Sequence, residues 1–165
     1  MSVVAGNGPD RIYLISPELV IIGPFGRAWP CGLIQQRRVG NLTQLIAIAT
    51  GGAAGALFRF WVSTGVYHLL GRGFPYGTLA VNILGSLLMG FLYVLMLERM
   101  TVAPEMRAAL LIGFLGAFTT FSTFSIETLN LIEQADFFKA GMNMLISVMA
   151  CVLACWLGLL LGRQL

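Results

Sequence analysis

Charge is what this sequence has least of. Only 10% of its 165 residues are charged, and from Gly40 onward there are six Lys or Arg and five Asp or Glu. A water-soluble domain carries about 25% charged residues, so a soluble fold is excluded. Histidine is limited to His68, and cysteine to Cys31, Cys151 and Cys155. No His, Cys and acid constellation falls within an apolar run, which leaves an enzyme without a catalytic set. Cys151 and Cys155 lie four apart with no His nearby, too poor for a metal site, and that spacing inside a span is not a redox motif. They read as small packing residues. There is no basic stripe interleaved with exposed aromatics, so nucleic acid is not an expected partner. The net charge of +3 comes mostly from the first forty residues.

Hydrophobic residues make up 58% of the chain, and mean hydropathy is +0.85. The expected class is an all-α, multi-pass integral membrane protein with four spans. A helix needs roughly 20 apolar residues to cross the hydrocarbon, and residues 42–66, 76–97, 108–132 and 138–162 meet that requirement. Residues 41–165 then form one four-span domain with short connections. Gly51-Gly52-Ala53-Ala54-Gly55 in the first span, and Ala150, Ala154, Gly158 and Gly162 in the fourth, are small residues at helical spacing. They permit close helix approach. Phe74-Pro75 opens the second span, because proline suits a first helical turn.

Residues 1–40 are different, with four prolines, four arginines and two short apolar runs around Pro17. They lack the order of a signal peptide and are too short to span. The expectation is a disordered or loosely attached extension, or a start site that truly lies near Val39.

An even number of spans puts both ends of the four-span domain on one side. Positive charge sets orientation. Arg99, Arg107 and Arg163 fall on the side of the ends, and Arg59, Arg72 and Lys139 on the other. Without the extension, a chain so balanced has no strong reason to insert one way only; with Arg37 and Arg38 included, the side of the ends is weighted inward.

Polar residues inside the spans carry the functional signal. Gly116-Ala117-Phe118-Thr119-Thr120-Phe121-Ser122-Thr123-Phe124-Ser125 packs five hydroxyls and three phenylalanines into ten residues. Buried hydroxyls and loosened backbone must find partners inside the protein. Such a segment reads as a broken helix facing something polar, which is where channels and transporters place ions. Thr78, Asn82 and Ser86 form one polar stripe on the second span, and Asn143, Ser147, Cys151 and Cys155 another on the fourth. Two polar tracks beside a hydroxyl-rich break suggest a water-lined path. Arg59 reads either as a side chain snorkelling to the interface or as a cation at a pore mouth. Glu127, the one acid well within a span, either pairs with Arg59 or lines a vestibule. Phenyl rings have a positive edge, and Phe121 and Phe124 turned edge-on would stabilise an anion weakly, as conduction requires.

Gly51-Gly-Ala-Ala-Gly-Ala-Leu-Phe-Arg59, Phe74-Pro-Tyr-Gly-Thr-Leu-Ala-Val-Asn82-Ile-Leu-Gly-Ser86 and Gly113-Phe-Leu-Gly-Ala-Phe-Thr-Thr-Phe-Ser-Thr-Phe-Ser125 occur in that order. With them, residues 42–165 resemble the fluoride channel family (Fluc, also called CrcB). The resemblance implies a passive, fluoride-selective channel in the bacterial inner membrane. Fluoride that entered as neutral HF would leave through it as the anion. It implies an antiparallel homodimer of inverted copies with two pores. It places a break in the third span at Gly116–Thr119, whose carbonyls of Gly116 and Thr119 from both copies would hold a structural Na+. It assigns Phe121, Phe124, Thr78, Asn82, Arg59 and Ser147 to the fluoride pathway. Asn143, Cys151 and Cys155 depart from the family pattern, as does the extension. Two other readings compete. A small proton-coupled exporter of cationic compounds would depend on Glu127 as its embedded carboxylate, and a non-transporting scaffold would use the polar stripes for packing alone.

Overall fold

The computed structural model describes residues 11–15, 18–22, 28–30, 41–99 and 102–164. Contacts divide the chain into two units, Met1–Asn41 and Leu42–Leu165.

The first unit holds a three-stranded antiparallel sheet in chain order, β1 (Arg11–Ile15), β2 (Glu18–Ile22) and β3 (Ala28–Pro30). Arg11 pairs with Ile22 and Ile15 with Glu18, so a two-residue connection closes the first hairpin. Ile21 pairs with Trp29 in the second. The two apolar runs of the extension, rich in Ile and Val, supply the β-branched residues that suit a pleated ribbon. The remainder of residues 1–40, including the proposed start near Val39, lies outside the described residues.

The second unit is all-helical and contains four helices long and apolar enough to cross a membrane. The first, α1 (Leu42–Leu70), has 29 residues and is about 44 Å long at 1.5 Å per residue. It ends four residues beyond the span read from hydropathy. Gly71 at φ +79° stops it, with its N–H on the Tyr67 carbonyl at 3.0 Å. Glycine adopts that conformation without a Cβ penalty. The second span is α2 (Tyr76–Val94), continued by a π-helical turn at Leu95–Arg99. The third begins as α3 (Pro104–Arg107), widens into a π-helical segment at Ala108–Leu115 and narrows to α4 (Gly116–Phe118). It resumes as α5 (Phe121–Glu133). The fourth is α6 (Phe137–Gln164).

Backbone-to-backbone packing joins the spans. A Cβ on Gly55 would lie 2.1 Å from the Phe114 carbonyl oxygen, and one on Gly51 2.2 Å from that of Ala109. The first span therefore rests directly on the backbone of the third. A Cβ on Gly158 would meet the Leu87 carbonyl at 2.1 Å, and one on Gly90 that of Cys155 at 2.1 Å. The small-residue stripes of the first and fourth spans are thus the contact faces.

The exterior is apolar, and the interior mixes apolar side chains such as Val81, Val94 and Leu115 with polar ones. Thr78, Thr120, Thr128, Asn143 and Ser147 are buried, whereas Leu42, Phe60, Trp61, Leu145 and Val152 are exposed. Lipid tails solvate such an exterior, and the polar side chains must satisfy one another within. The protein is multi-pass and membrane-embedded.

Candidate functional site: a cleft at the interruption of the third span

Thr119 and Thr120 leave the helical conformation, with φ/ψ of −83°/157° and −151°/116°. Both are β-branched, and a run of Ser and Thr offers the chain a fresh helix start. Thr120 takes that role as N-cap of α5. Its hydroxyl accepts the N–H of Thr123 at 3.3 Å and lies 3.0 Å from the Thr123 hydroxyl. Thr119 satisfies its own hydroxyl on the Leu115 carbonyl at 3.1 Å.

Asn82 of α2 clasps the interruption from both sides. Its Nδ2 donates to the Thr120 carbonyl at 3.1 Å, and its Oδ1 accepts the Thr120 N–H at 2.8 Å. The same N–H would otherwise close the i→i−4 bond to the Gly116 carbonyl, so the clasp deprives that carbonyl of its helical donor. Gly85 leaves room for this geometry: a Cβ there would stand 2.2 Å from Thr119 Cγ2.

A cleft of about 380 Å³ opens beside the interruption. Asn82, Thr119, Phe121, Phe124 and Ser147 line it together with Ser86, Met89, Cys151 and Cys155. The Phe121 and Phe124 rings lie 5.3 Å apart at 40°. Phe121 is 77% exposed in the single chain. Ser147 belongs to a hydrogen-bonded ladder between α6 and α5. Its hydroxyl donates to Asn143 Oδ1 at 3.4 Å, Asn143 Nδ2 to Thr128 Oγ1 at 2.8 Å, and Thr128 to the Phe124 carbonyl at 2.7 Å. Asn143, only 1% exposed, is the hub of that ladder.

Thr78 and Arg59 do not line this cleft. Thr78 is buried, 3.4 Å from the Tyr67 hydroxyl, which donates to Glu127 Oε1 at 2.7 Å. Tyr67 fits because α2 has glycine opposite: a Cβ on Gly77 would be 2.4 Å from the ring. Tyr67 and Glu127 line a second, larger cleft of about 630 Å³ with Arg72, Asn130, Gln134 and Lys139. The Arg72 guanidinium lies 5.8 Å from the Tyr67 ring centre. Glu127 therefore lines this second cleft and is bonded to Tyr67 rather than to Arg59. Its Oε2 is buried without a hydrogen-bond partner among the described residues. Arg59 is half-buried on α1 and lines neither of these two clefts. Helix α5 serves both clefts, with Phe121 and Phe124 lining the first and Glu127 the second.

Tyr67, Thr120 and Thr128 were not singled out by sequence as individual functional residues. Thr128 continues the Phe121–Phe124 face at i+7 and i+4, a signal that was available. Tyr67 closes an ordinary apolar helix and has partners 11 and 60 residues away, so nothing local marks it. Gly116 is exposed and Thr119 half-buried. Among the described residues there is no cluster of His, Cys, Asp or Glu suited to a metal. A cation at Gly116 and Thr119 would thus be met by backbone oxygens, donors appropriate to a hard ion.

Residues 46–159 match the family model described as CrcB-like protein, Camphor Resistance (CrcB). The chain is 60% identical over 121 residues to a fluoride-specific ion channel FluC of Methylococcus capsulatus, covering 73% of this chain and 53% of that protein. It thus spans about half the length of that relative. It is 52% identical over 120 residues to a protein of the same name from Magnetococcus marinus, covering 73% of this chain and 98% of that one. A third, from Geobacter sulfurreducens, is 48% identical over 124 residues, its whole length and 75% of this chain. Four apolar spans and relatives of this kind mark a multi-pass bacterial membrane protein. The chain belongs to the CrcB-like protein family.

Proposed function

We propose that this protein is a fluoride-selective passive channel that lets fluoride leave the cytoplasm and so lowers its toxicity. The observation that carries the reading is the Phe121–Phe124 pair, placed on a cleft beside an interruption that Asn82 holds open. Fluoride shedding its water needs many weak partners rather than one strong one. Ring edges supply these. A lysine in the same place would hold the ion too tightly to conduct. The name of the relatives, fluoride-specific ion channel FluC, supports the reading.

The working unit is an antiparallel homodimer of inverted copies with two pores. A phenylalanine 77% exposed beside a polar cleft suits a surface that a second copy completes. The balanced positive charge on the two sides permits both insertions. The interruption lies near mid-membrane, where two inverted copies bring their freed carbonyls together. Gly116 and Thr119 would hold a structural Na+ there, which supplies a fixed positive charge when bound. Thr78 lies on the route through the Tyr67–Glu127 cluster, and Arg59 attracts anions toward the mouth. A proton-coupled exporter would rest on Glu127 alone, and it leaves the Phe121–Phe124 pair without a role.

Growth tests this function in a bacterial strain deprived of its own fluoride export. Expression of the protein should restore growth in acidic medium containing fluoride, and Phe121→Ile should not. Equal growth with both, or rescue by neither at matched membrane levels, would overturn the reading.

A further inference from the structure

Three sulfur-bearing side chains share the cleft: Met89 on α2, and Cys151 and Cys155 on α6. Both cysteines are free thiols and only partly buried. Residues four apart on a helix stand one above the other, about 5–6 Å between Cβ atoms, so the two thiols share a face. The opposing helix approaches at the same level. Ser86 is within hydrogen-bonding reach of the Cys151 thiol, and a Cβ on Gly90 would stand 2.1 Å from the Cys155 carbonyl. Met89 precedes Gly90 and lies in that same stretch of α2, and its flexible thioether lines the same cleft.

We propose that Met89, Cys151 and Cys155 form a soft-metal site in the wall of this cleft, taking a monovalent cation such as Cu(I) or Ag(I). Thiolate and thioether sulfur select such ions over Na+, Mg2+ or Ca2+, which prefer oxygen. The thiolate is the ligand, so each cysteine that binds releases its proton to water and no oxidant is required. Phe121 and Phe124 line the same cleft, so an ion held there narrows the route proposed for fluoride. The blocking consequence rests on the channel reading, whereas the binding itself does not.

The test separates the two. Cys31 is replaced by Ser throughout to leave only the cleft cysteines. Ag+ binding to the purified protein is then measured by equilibrium dialysis in chloride-free buffer with metal analysis of the retained fraction. One Ag+ per chain is expected. Cys151→Ser and Cys155→Ser together should weaken it by at least about 100-fold, since loss of a supporting group alone costs 10–100-fold. Met89→Leu should weaken it less, and excess Zn2+ or Na+ should not displace it. Unchanged binding in the double serine variant would overturn the site. Fluoride efflux from liposomes, compared with and without Ag+ for each variant, reads the second part. Block in the Cys31→Ser protein and none in the double serine variant is expected. Undiminished efflux with Ag+ bound would remove the site from the pathway. Absence of efflux before Ag+ is added would contradict the channel reading, and the binding result would still decide the metal site.

Discussion

The Asn82 clasp gives a prediction whose size follows from the structure. Asn82→Leu keeps the number and branching of side-chain heavy atoms and removes both the donor to the Thr120 carbonyl at 3.1 Å and the acceptor of its N–H at 2.8 Å. Thr120 is 7% exposed, so water does not readily replace either partner. In a soluble interior a stranded buried polar group costs on the order of 1–3 kcal/mol. In a bilayer the unfolded helices find other partners, and interhelical hydrogen bonds average about 0.6 kcal/mol with a maximum near 1.7. Two such bonds place the loss at about 1–3 kcal/mol. The midpoint of thermal unfolding in detergent should then fall by roughly 3–10 °C. If the loosened interruption raises the conduction barrier by a similar amount, fluoride flux should fall roughly tenfold or more. Asn82→Asp separates the two effects, because it retains an acceptor for the Thr120 N–H and turns a carboxylate oxygen toward the Thr120 carbonyl. It should lose flux at least as severely, since a negative charge also faces the path of an anion. An Asn82→Leu protein with unchanged melting and unchanged flux would refute the clasp.

Other perturbations reach different parts of the account. Phe121→Ile should abolish fluoride flux while the protein stays folded. Melting and efflux measured on one preparation check both. Gly55→Ala should destabilise by about 1–3 kcal/mol, because its Cβ would collide with the Phe114 backbone, whereas Gly65→Ala meets nothing within 4 Å and should stabilise α1 by about 0.5–1 kcal/mol. Ala135 has φ +59° in the turn that ends α5, where Asp136 N–H reaches the Leu131 carbonyl at 2.9 Å. Ala135→Gly should raise stability by up to about 1 kcal/mol, read as a higher melting temperature. The Lys139 ammonium, hydrogen-bonded to Asp136 at 2.6 Å, holds that carboxyl below its ordinary value of 3.8. A carboxyl lowered in the folded state contributes stability above its unfolded value and loses it as pH falls through the folded one. Lys139→Met should therefore lower the melting temperature at pH 7 and converge with the parent protein once acid has protonated Asp136 in both.

Much of this organisation was legible in the sequence because the bilayer leaves few choices. Apolar length alone delimits four helices, and glycines at helical spacing mark where backbones touch. The hydroxyls of Thr119–Ser125 were readable as groups that need partners inside the protein, because a lipid-facing helix supplies none. What composition could not supply was the identity of those partners. Asn82 read as a lining group and does line the cleft, while both ends of its carboxamide are committed to Thr120. Asn143 read as a departure from a family pattern, and it is the buried hub joining Ser147 to Thr128. Tyr67 had no local signal at all, since its value depends on Thr78 and Glu127 arriving from other helices. The strands of residues 11–30 were obscured by prolines and by apolar runs too short for periodicity to separate strand from loop.

The most direct measurement is fluoride efflux from liposomes containing the purified protein, followed with a fluoride electrode after a potassium ionophore is added, with chloride as the control anion. Rapid efflux of fluoride without chloride is the predicted result. No fluoride efflux from well-folded protein, or equal efflux of both anions, would contradict the account.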